Sequence, residues 1–387
     1  MPRSDPALRR ALAGALALAA AMGIGRFAYT ALLPAAQRAL GIDDAVGGAI
    51  ASVNLLGYLV GVLVARGLPQ PARPRGLLTG LFLTALTTAG VAASGAPLLW
   101  FALRFLSGVA SGLVFVLATT AALDAGPGSV PRPGTLYAGV GCGMAFSGAL
   151  AGLVPGSLGW QLPWLLLGGV AAALALAAWP ALGAPLAHGP AAGGPASGPH
   201  GGLRLGFRRL GAAYFLEGLG YIVSGTFAVV AVRRTPGLEA LAPWTWTLTG
   251  LAAAPSAPLW SALGRRIGLR GALVVAYLTQ AAGMALPSVS NAAASAVVGA
   301  ALFGSTFLGI VVLTMSAARL LVPRALGRAV GTLTALYGVG QIIGPIAAGA
   351  LSQRLGDPRP AVLLASLAVA AGAALLAWPS PRPSPAP

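Results

Sequence analysis

Three ionisable side chains lie well inside long apolar stretches of this chain: Arg26, Arg104 and Glu217. Glu217 stands in YFLEGLGYIVSG, within a run from Leu210 to Val232 that holds no other charge. A charge at the centre of a bilayer costs about 2.5–3.5 kcal/mol on insertion scales, so such groups tend to face a cavity and act there. Burial favours a neutral acid and a nearby guanidinium favours the carboxylate, so a partner that rearranges lets an acid take up and release a proton. We expect Glu217 to be the protonatable group, and Arg26 to alternate between pairing with it and binding an anionic or polar solute. The competing reading is structural: a fixed Glu–Arg pair, or a carboxyl hydrogen-bonded to backbone. Arg104 divides between a coupling or gating role and simple snorkelling or packing.

The elements that position these groups are membrane helices. The chain has 387 residues, 57% hydrophobic and 8% charged, with mean hydropathy +0.83, whereas a soluble domain carries about a quarter charged residues. A span needs about 20 apolar residues, because the bilayer core is roughly 30 Å thick and a helix rises about 1.5 Å per residue. Twelve runs meet that need, near 11–34, 45–65, 76–94, 97–122, 135–157, 162–182, 210–232, 243–264, 271–289, 292–318, 329–351 and 361–379. The expected fold class is therefore all-α integral membrane protein. Its 56 Gly and 31 Pro fit close helix packing, as in Gly108-x-x-x-Gly112 and Gly340-x-x-x-Gly344.

A formal charge of +17 raises the question of nucleic acid, but the basic residues report topology instead. All 24 are Arg. With a cytoplasmic N-terminus, 17 fall on the inner side, two inside spans, and five outside: Arg38, Arg233, Arg234, Arg354 and Arg359. That asymmetry follows the positive-inside rule and places both termini in the cytoplasm. The single Cys142 excludes an intrachain disulfide and reads as a small buried apolar residue. His188 and His200 fall in HGPAAGGPASGPHGG, a Gly/Pro-rich linker rather than a metal loop. Neither a metal nor a cofactor is implied.

Shifting the sequence against itself by 195 positions aligns Arg75-Gly76 with Arg270-Gly271, Leu83-Thr84 with Leu278-Thr279, and Gly23-x-Gly25 with Gly218-x-Gly220. The chain thus reads as a duplicated unit: an N-terminal six-helix bundle over 1–182, a cytoplasmic linker over 183–207, and a C-terminal bundle with a short tail over 208–387. The N-terminus looks like a signal peptide, yet its counterpart is the seventh run, so it reads as a retained helix. Two copies of six helices insert the same way up, related by a pseudo-twofold axis along the membrane normal, with a site between them near the midplane. Under this register Glu217 corresponds to Met22 and Arg26 to Tyr221. All four are expected to face the central cavity, with Glu217 and Arg26 about one helical turn, roughly 5.4 Å, apart in depth.

Along essentially its whole length the chain resembles the major facilitator superfamily of secondary transporters. Through GIGRFAYTALLPAAQ, SVNLLGYLVG, YFLEGLGYIVSGTF, ALFGSTFLGI and YGVGQIIGPIAAG it is similar to the YbfB/YjiJ-like branch. The resemblance implies twelve helices in two pseudo-symmetric bundles and alternating access. The superfamily's Gly-x-x-x-Asp-Arg-x-Gly loop is altered, to Gly61-x-x-x-Ala65-Arg66-x-Leu68 after helix 2 and Ser261-x-x-x-Arg265-Arg266-x-Gly268 after helix 8, so the gating contacts of that Asp are in question. Arg104-x-x-x-Gly108 keeps the fourth-helix pattern. The Gly-Pro motif of drug–proton antiporters marks helix 5, whereas the clear Gly344-Pro345 here is in helix 11, which argues against an antiporter of that kind.

Tyr29, Asn54, Tyr58, Tyr221, Gln280, Tyr337 and Gln341 are the polar residues expected along a solute or proton pathway, each with an interhelical hydrogen bond as the alternative. Asp43 and Asp44 precede the second helix and read as caps. The expected function is secondary active transport of a small organic solute, anionic or amphipathic aromatic, across a bacterial inner membrane by a monomer, with the proton as coupling ion. Uptake and efflux remain open. The absence of a phosphate-cradling motif argues for a gradient rather than ATP as the driving force. Two other classes compete: a non-transporting sensor on a transporter scaffold, and a membrane-embedded enzyme. With one mid-span carboxylate and no intramembrane His, the enzyme is the weaker.

Overall fold

The computed structural model describes residues 5–123, 132–182, 201–322 and 326–378. They form helices α1 (Pro6–Leu40), α2 (Asp44–Gly67), α3 (Gln70–Ala93), α4 (Pro97–Leu123), α5 (Pro133–Leu153), α6 (Gln161–Leu182), α7 (Gly201–Arg233), α8 (Ala242–Ala253 and Ser256–Ile267), α9 (Leu269–Val289), α10 (Ala293–Leu321), α11 (Leu326–Leu355) and α12 (Arg359–Ala377). No strand occurs among the described residues. Eleven of these helices are long and apolar enough to cross a membrane. The other, α8, is interrupted where Pro255 withdraws a backbone N–H, leaving two 12-residue pieces. The helix α7 begins at Gly201, inside the stretch read as linker to 207. The rest of that linker, including His188 and His200, lies outside the described residues.

The packing repeats with a period of six helices. Contacts α1–α5, α1–α6, α2–α4, α3–α4 and α3–α6 recur as α7–α11, α7–α12, α8–α10, α9–α10 and α9–α12. The two bundles meet through α1–α7, α2–α11 and α5–α8, which is the pattern of a twofold axis between α1 and α7. Glycines make the closest contacts. A methyl on Gly108 would strike the Asn54 carbonyl and one on Gly112 the Tyr58 carbonyl, so α2 and α4 touch backbone to backbone. The outer surface carries exposed leucines such as Leu63, Leu98 and Leu176, which hydrocarbon accepts and water would not. Cys142 is exposed rather than buried.

One local departure positions the site. From Ala19 to Arg26 the helix α1 is wound as a π-helix, closed by Phe27 N–H donating to the Met22 carbonyl at 3.0 Å. This i→i+5 winding frees carbonyls near Gly25 and Arg26 for other donors. We call the end where α1 begins and α12 ends the terminal face, and the other the opposite face.

Candidate functional site

A cavity of about 280 Å³ lies between the bundles. It runs from Arg26 and Phe27 at mid-depth toward the terminal face, where Arg66 and Val330 line it. Its wall is aromatic: Tyr58, Phe115, Tyr137, Tyr214, Tyr221, Phe307 and Tyr337 all contribute. The Arg26 guanidinium lies over the Tyr58 ring, 4.4 Å from its centroid, and donates to the Tyr221 hydroxyl at 3.4 Å. That hydroxyl also accepts from Gln341 Nε2. Tyr214, Tyr337 and Tyr221 stack in sequence, with centroids 4.3 and 5.5 Å apart. A few polar groups in an apolar, aromatic wall suit a planar organic solute with one charged end.

Arg26 and Tyr221 are 195 residues apart, and so are Thr30 and Gly225, whose hydroxyl and carbonyl hydrogen-bond across the same seam. Positions paired by the internal repeat therefore meet on the axis. Of the quartet read from the sequence, Met22, Arg26 and Tyr221 line the cavity and Glu217 does not. Glu217 is fully enclosed in the C-terminal bundle, where its Oε1 accepts from Gln280 Nε2 of α9 at 3.2 Å. No ion pair joins it to Arg26. The π-winding accounts for the difference: it turns positions 22 and 26 relative to each other, whereas α7 is a regular helix, so equal spacing in sequence gives unequal facing.

Glu217 is not isolated from the cavity. The Tyr337 hydroxyl lies beside both the Glu217 carboxyl and the Tyr221 hydroxyl, one phenol between the acid and the Arg26 partner. Four oxygens around Glu217 have no hydrogen-bond partner: Glu217 Oε2, Gln280 Oε1, Tyr277 Oη and Thr314 Oγ1. Tyr277 and Thr314 are neighbours that fall short of hydrogen-bond geometry.

Arg104, Tyr29 and Asn54 fall outside the cavity as well, in the N-terminal bundle. Arg104 Nη1 and Nη2 donate to the Gly25 and Arg26 carbonyls at 2.6 and 2.8 Å, and Ser107 Oγ adds a second bond to Gly25 at 2.9 Å. These are the carbonyls that the π-turn frees. The Arg104 carbonyl in turn accepts from Asn54 at 2.7 Å, and Tyr29 donates to the Gly47 carbonyl at 2.9 Å. Arg104 thus holds the backbone that presents Arg26.

Toward the opposite face the cavity is closed by Phe27, whose ring meets Phe307 edge-on at 5.3 Å and Trp246 at 6.4 Å. Beyond it Asp44 ties the bundles together. Its carboxylate takes Arg234 Nη1 and Nη2, both at 2.7 Å, and Gln37 Nε2 at 2.7 Å, while its N–H donates to Gln353 Oε1 at 3.2 Å. Asp43 caps α2 at 2.7 Å through Val46 N–H. Asp44, read from the sequence as a second cap, is instead a four-helix junction. Its signal in the sequence is a second carboxylate beside the cap Asp43, among only seven acids in the chain. Phe27, Phe307 and Trp246 left no signal, since aromatics in an apolar helix are unremarkable.

Comparison with known proteins decides the family. A model described as an uncharacterised MFS-type transporter, YbfB, matches residues 18–377. The chain belongs to this family of the major facilitator superfamily. The transporter has no match among curated proteins. Its fold is shared with solved transporters: the nucleoside transporter NupG (13% identity, 97% of this chain and 100% of that one, TM-score 0.71), a bacterial homologue of human Spinster, inward-facing and unoccupied (15%, 97% and 95%, 0.65), and the human organic anion transporter MFSD10 (18%, 97% and 100%, 0.61). The transporter is a multi-pass membrane protein whose business is a small-molecule solute.

Proposed function

We propose that the transporter moves a small aromatic anion across a bacterial inner membrane by alternating access, coupled to protons through Glu217. The observation that carries this reading is Arg26: a buried guanidinium at the blind end of an aromatic cavity, met by a phenol and no carboxylate. An incoming sulfonate or carboxylate takes Arg26 from Tyr221 and lays its ring on the tyrosine stack. Tyr337 then follows Tyr221 or turns to Glu217, so solute binding and protonation of Glu217 inform each other through one hydroxyl. With the termini cytoplasmic, the cavity opens inward, and the Asp44–Arg234 junction with the Phe27 layer forms the closed outer gate. Opening outward requires both to part. One structural neighbour is named for organic anions and another for nucleosides, which are aromatic but uncharged; at such identities they support the fold, and the choice of an anion rests on Arg26.

The test is transport in proteoliposomes of radiolabelled benzenesulfonate, which does not cross a bilayer as a neutral acid. An imposed pH gradient should drive its accumulation against concentration. Glu217→Gln should abolish that accumulation while leaving exchange of internal for external solute. If Glu217→Gln still concentrates solute with the gradient, Glu217 is not the coupling group. Binding without flux in the unaltered protein would favour the sensor reading.

A further inference from the structure

We propose that the opposite face carries a second anion-binding site, separate from the central cavity, formed by Arg38 and Arg233. A cavity of about 620 Å³ lies there, between the outer ends of α1 and α7 and the loops leading into α6 and α8. Arg38, Arg233, Trp160 and Trp244 line it, over a floor that includes Leu32 and Val229. The Phe27–Phe307–Trp246 layer separates it from Arg26.

Five arginines sit on this face, the face that the arginine asymmetry leaves poor in positive charge. Arg234 is neutralised by Asp44, and Arg359 is bound to Asp357 and Asn291. Arg354 stands exposed in the last turn of α11, where the negative end of the helix welcomes a cation. Arg38 and Arg233 also end their helices, which would account for one guanidinium at each end. It does not account for two like charges lining one cavity, close enough for the Arg38 charge to oppose that of Arg233. Among the described residues, no carboxylate lies within ion-pair distance of either. Glu239 gives Arg233 a backbone carbonyl at 3.0 Å and turns its carboxylate to the Gly237 N–H at 3.2 Å, so its charge reaches Arg233 without forming an ion pair.

Two guanidiniums facing one space repel each other until an anion bridges them, and their planar forks suit phosphate, sulfonate or carboxylate. Trp160 and Trp244 offer an apolar or aromatic surface for the remainder of the ligand. The shared chemistry is an oxyanion on an apolar body, from either of two sources: a soluble organic anion, or the headgroup of an anionic lipid. The site stands or falls independently of coupling at Glu217 and of solute binding at Arg26.

The test uses the full-length purified protein at fixed ionic strength. In the first arm, calorimetric titration with benzenesulfonate and with inorganic phosphate compares wild type, Arg26→Gln, and the pair Arg38→Gln with Arg233→Gln. Arg26→Gln should retain one saturable site, the Gln pair should weaken it tenfold or more, and Arg38→Lys with Arg233→Lys should recover part of the affinity. In the second arm, wild type and the Gln pair are placed in phosphatidylcholine nanodiscs with and without phosphatidylglycerol. If a lipid headgroup is the source, phosphatidylglycerol raises the Tm of wild type but not of the Gln pair, and the soluble anions do nothing at this site. A response in either arm that depends on Arg38 and Arg233 supports the proposal and names the source. It is overturned if the Gln pair, folded and monodisperse, matches wild type in both arms, or if only Arg26→Gln removes binding.

Discussion

The two bundles repeat one another in packing and differ in how they treat buried polar groups. In the N-terminal bundle most of the charge is spent: Arg104 fills the Gly25 and Arg26 carbonyls with its two terminal nitrogens, leaving only its Nε without a partner, and Asn54 fills the Arg104 carbonyl. In the C-terminal bundle the corresponding depth holds an acid with one hydrogen bond and four unpartnered oxygens. A satisfied buried network rigidifies, whereas an unsatisfied one is costly and so open to change by a proton, a water or a rotated partner. The N-terminal half is thus a fixed mount for Arg26, and the C-terminal half holds the group able to change state.

The largest effect that would break this contrast is at Arg104. Arg104→Ala should destabilise the protein by roughly 2–4 kcal/mol, because two buried carbonyls and a π-turn lose charged donors at once. Arg104→Lys should recover little, since one ammonium cannot span both carbonyls as the guanidinium does. Chemical unfolding in detergent measures both. If Arg104→Ala unfolds with the wild-type midpoint, Arg104 is no mount and the N-terminal bundle is not the fixed half.

Why the contrast was only half legible in sequence follows from where its causes lie. The helices and the superfamily fold were readable from runs of about 20 apolar residues, and GxxxG spacing announced the α2–α4 and α7–α11 contacts. Pro255 is in plain view, but a hydropathy run bridges it without a gap, so the run predicts one helix where α8 is broken. The π-turn at 19–26 depends on Arg104 capturing freed carbonyls from 78 residues away, and no local pattern encodes that. The facing of Glu217 is hidden for the same reason, because the 195-residue repeat predicts equal facing only where both helices are wound alike. Asp44 and Arg234 are 190 residues apart, and nothing local in the chain joins them.

A middle effect sharpens the contrast at the junction where the two halves hold each other. Asp44→Asn removes the charge that pairs with Arg234 and keeps the size of the side chain. Arg234 is 40% exposed, so solvent screens much of the pair, and the loss should be about 1–2 kcal/mol, or roughly 5- to 30-fold in the ratio of conformers. If the bundles move as units about this junction, that ratio shifts toward opening at the opposite face. Leu32→Cys, placed in a Cys142→Ser background, should then react faster with an impermeant maleimide. Gly48→Ala should act in the same direction, since its methyl would strike the Pro345 carbonyl across the closed α2–α11 contact. Unchanged labelling in both variants would mean that the closure resides in the Phe27 layer alone.

The smallest effect is the most discriminating for the C-terminal half. The Tyr277 hydroxyl is fully buried with no partner, so folding strips it of water and returns nothing. Tyr277→Phe removes that oxygen and keeps the ring against Gly372, so stability should change by no more than about 0.5 kcal/mol, or rise. Arg104→Ala, in the mirrored network, should cost several times more. Were Tyr277→Phe to destabilise the protein by more than about 1 kcal/mol, the hydroxyl would have a partner such as an internal water, and the contrast between the C-terminal cluster and the Arg104 network would shrink. A drop in gradient-driven transport without any loss of stability would instead tie the cluster to the state of Glu217, because removing an idle hydroxyl has no other route to the rate.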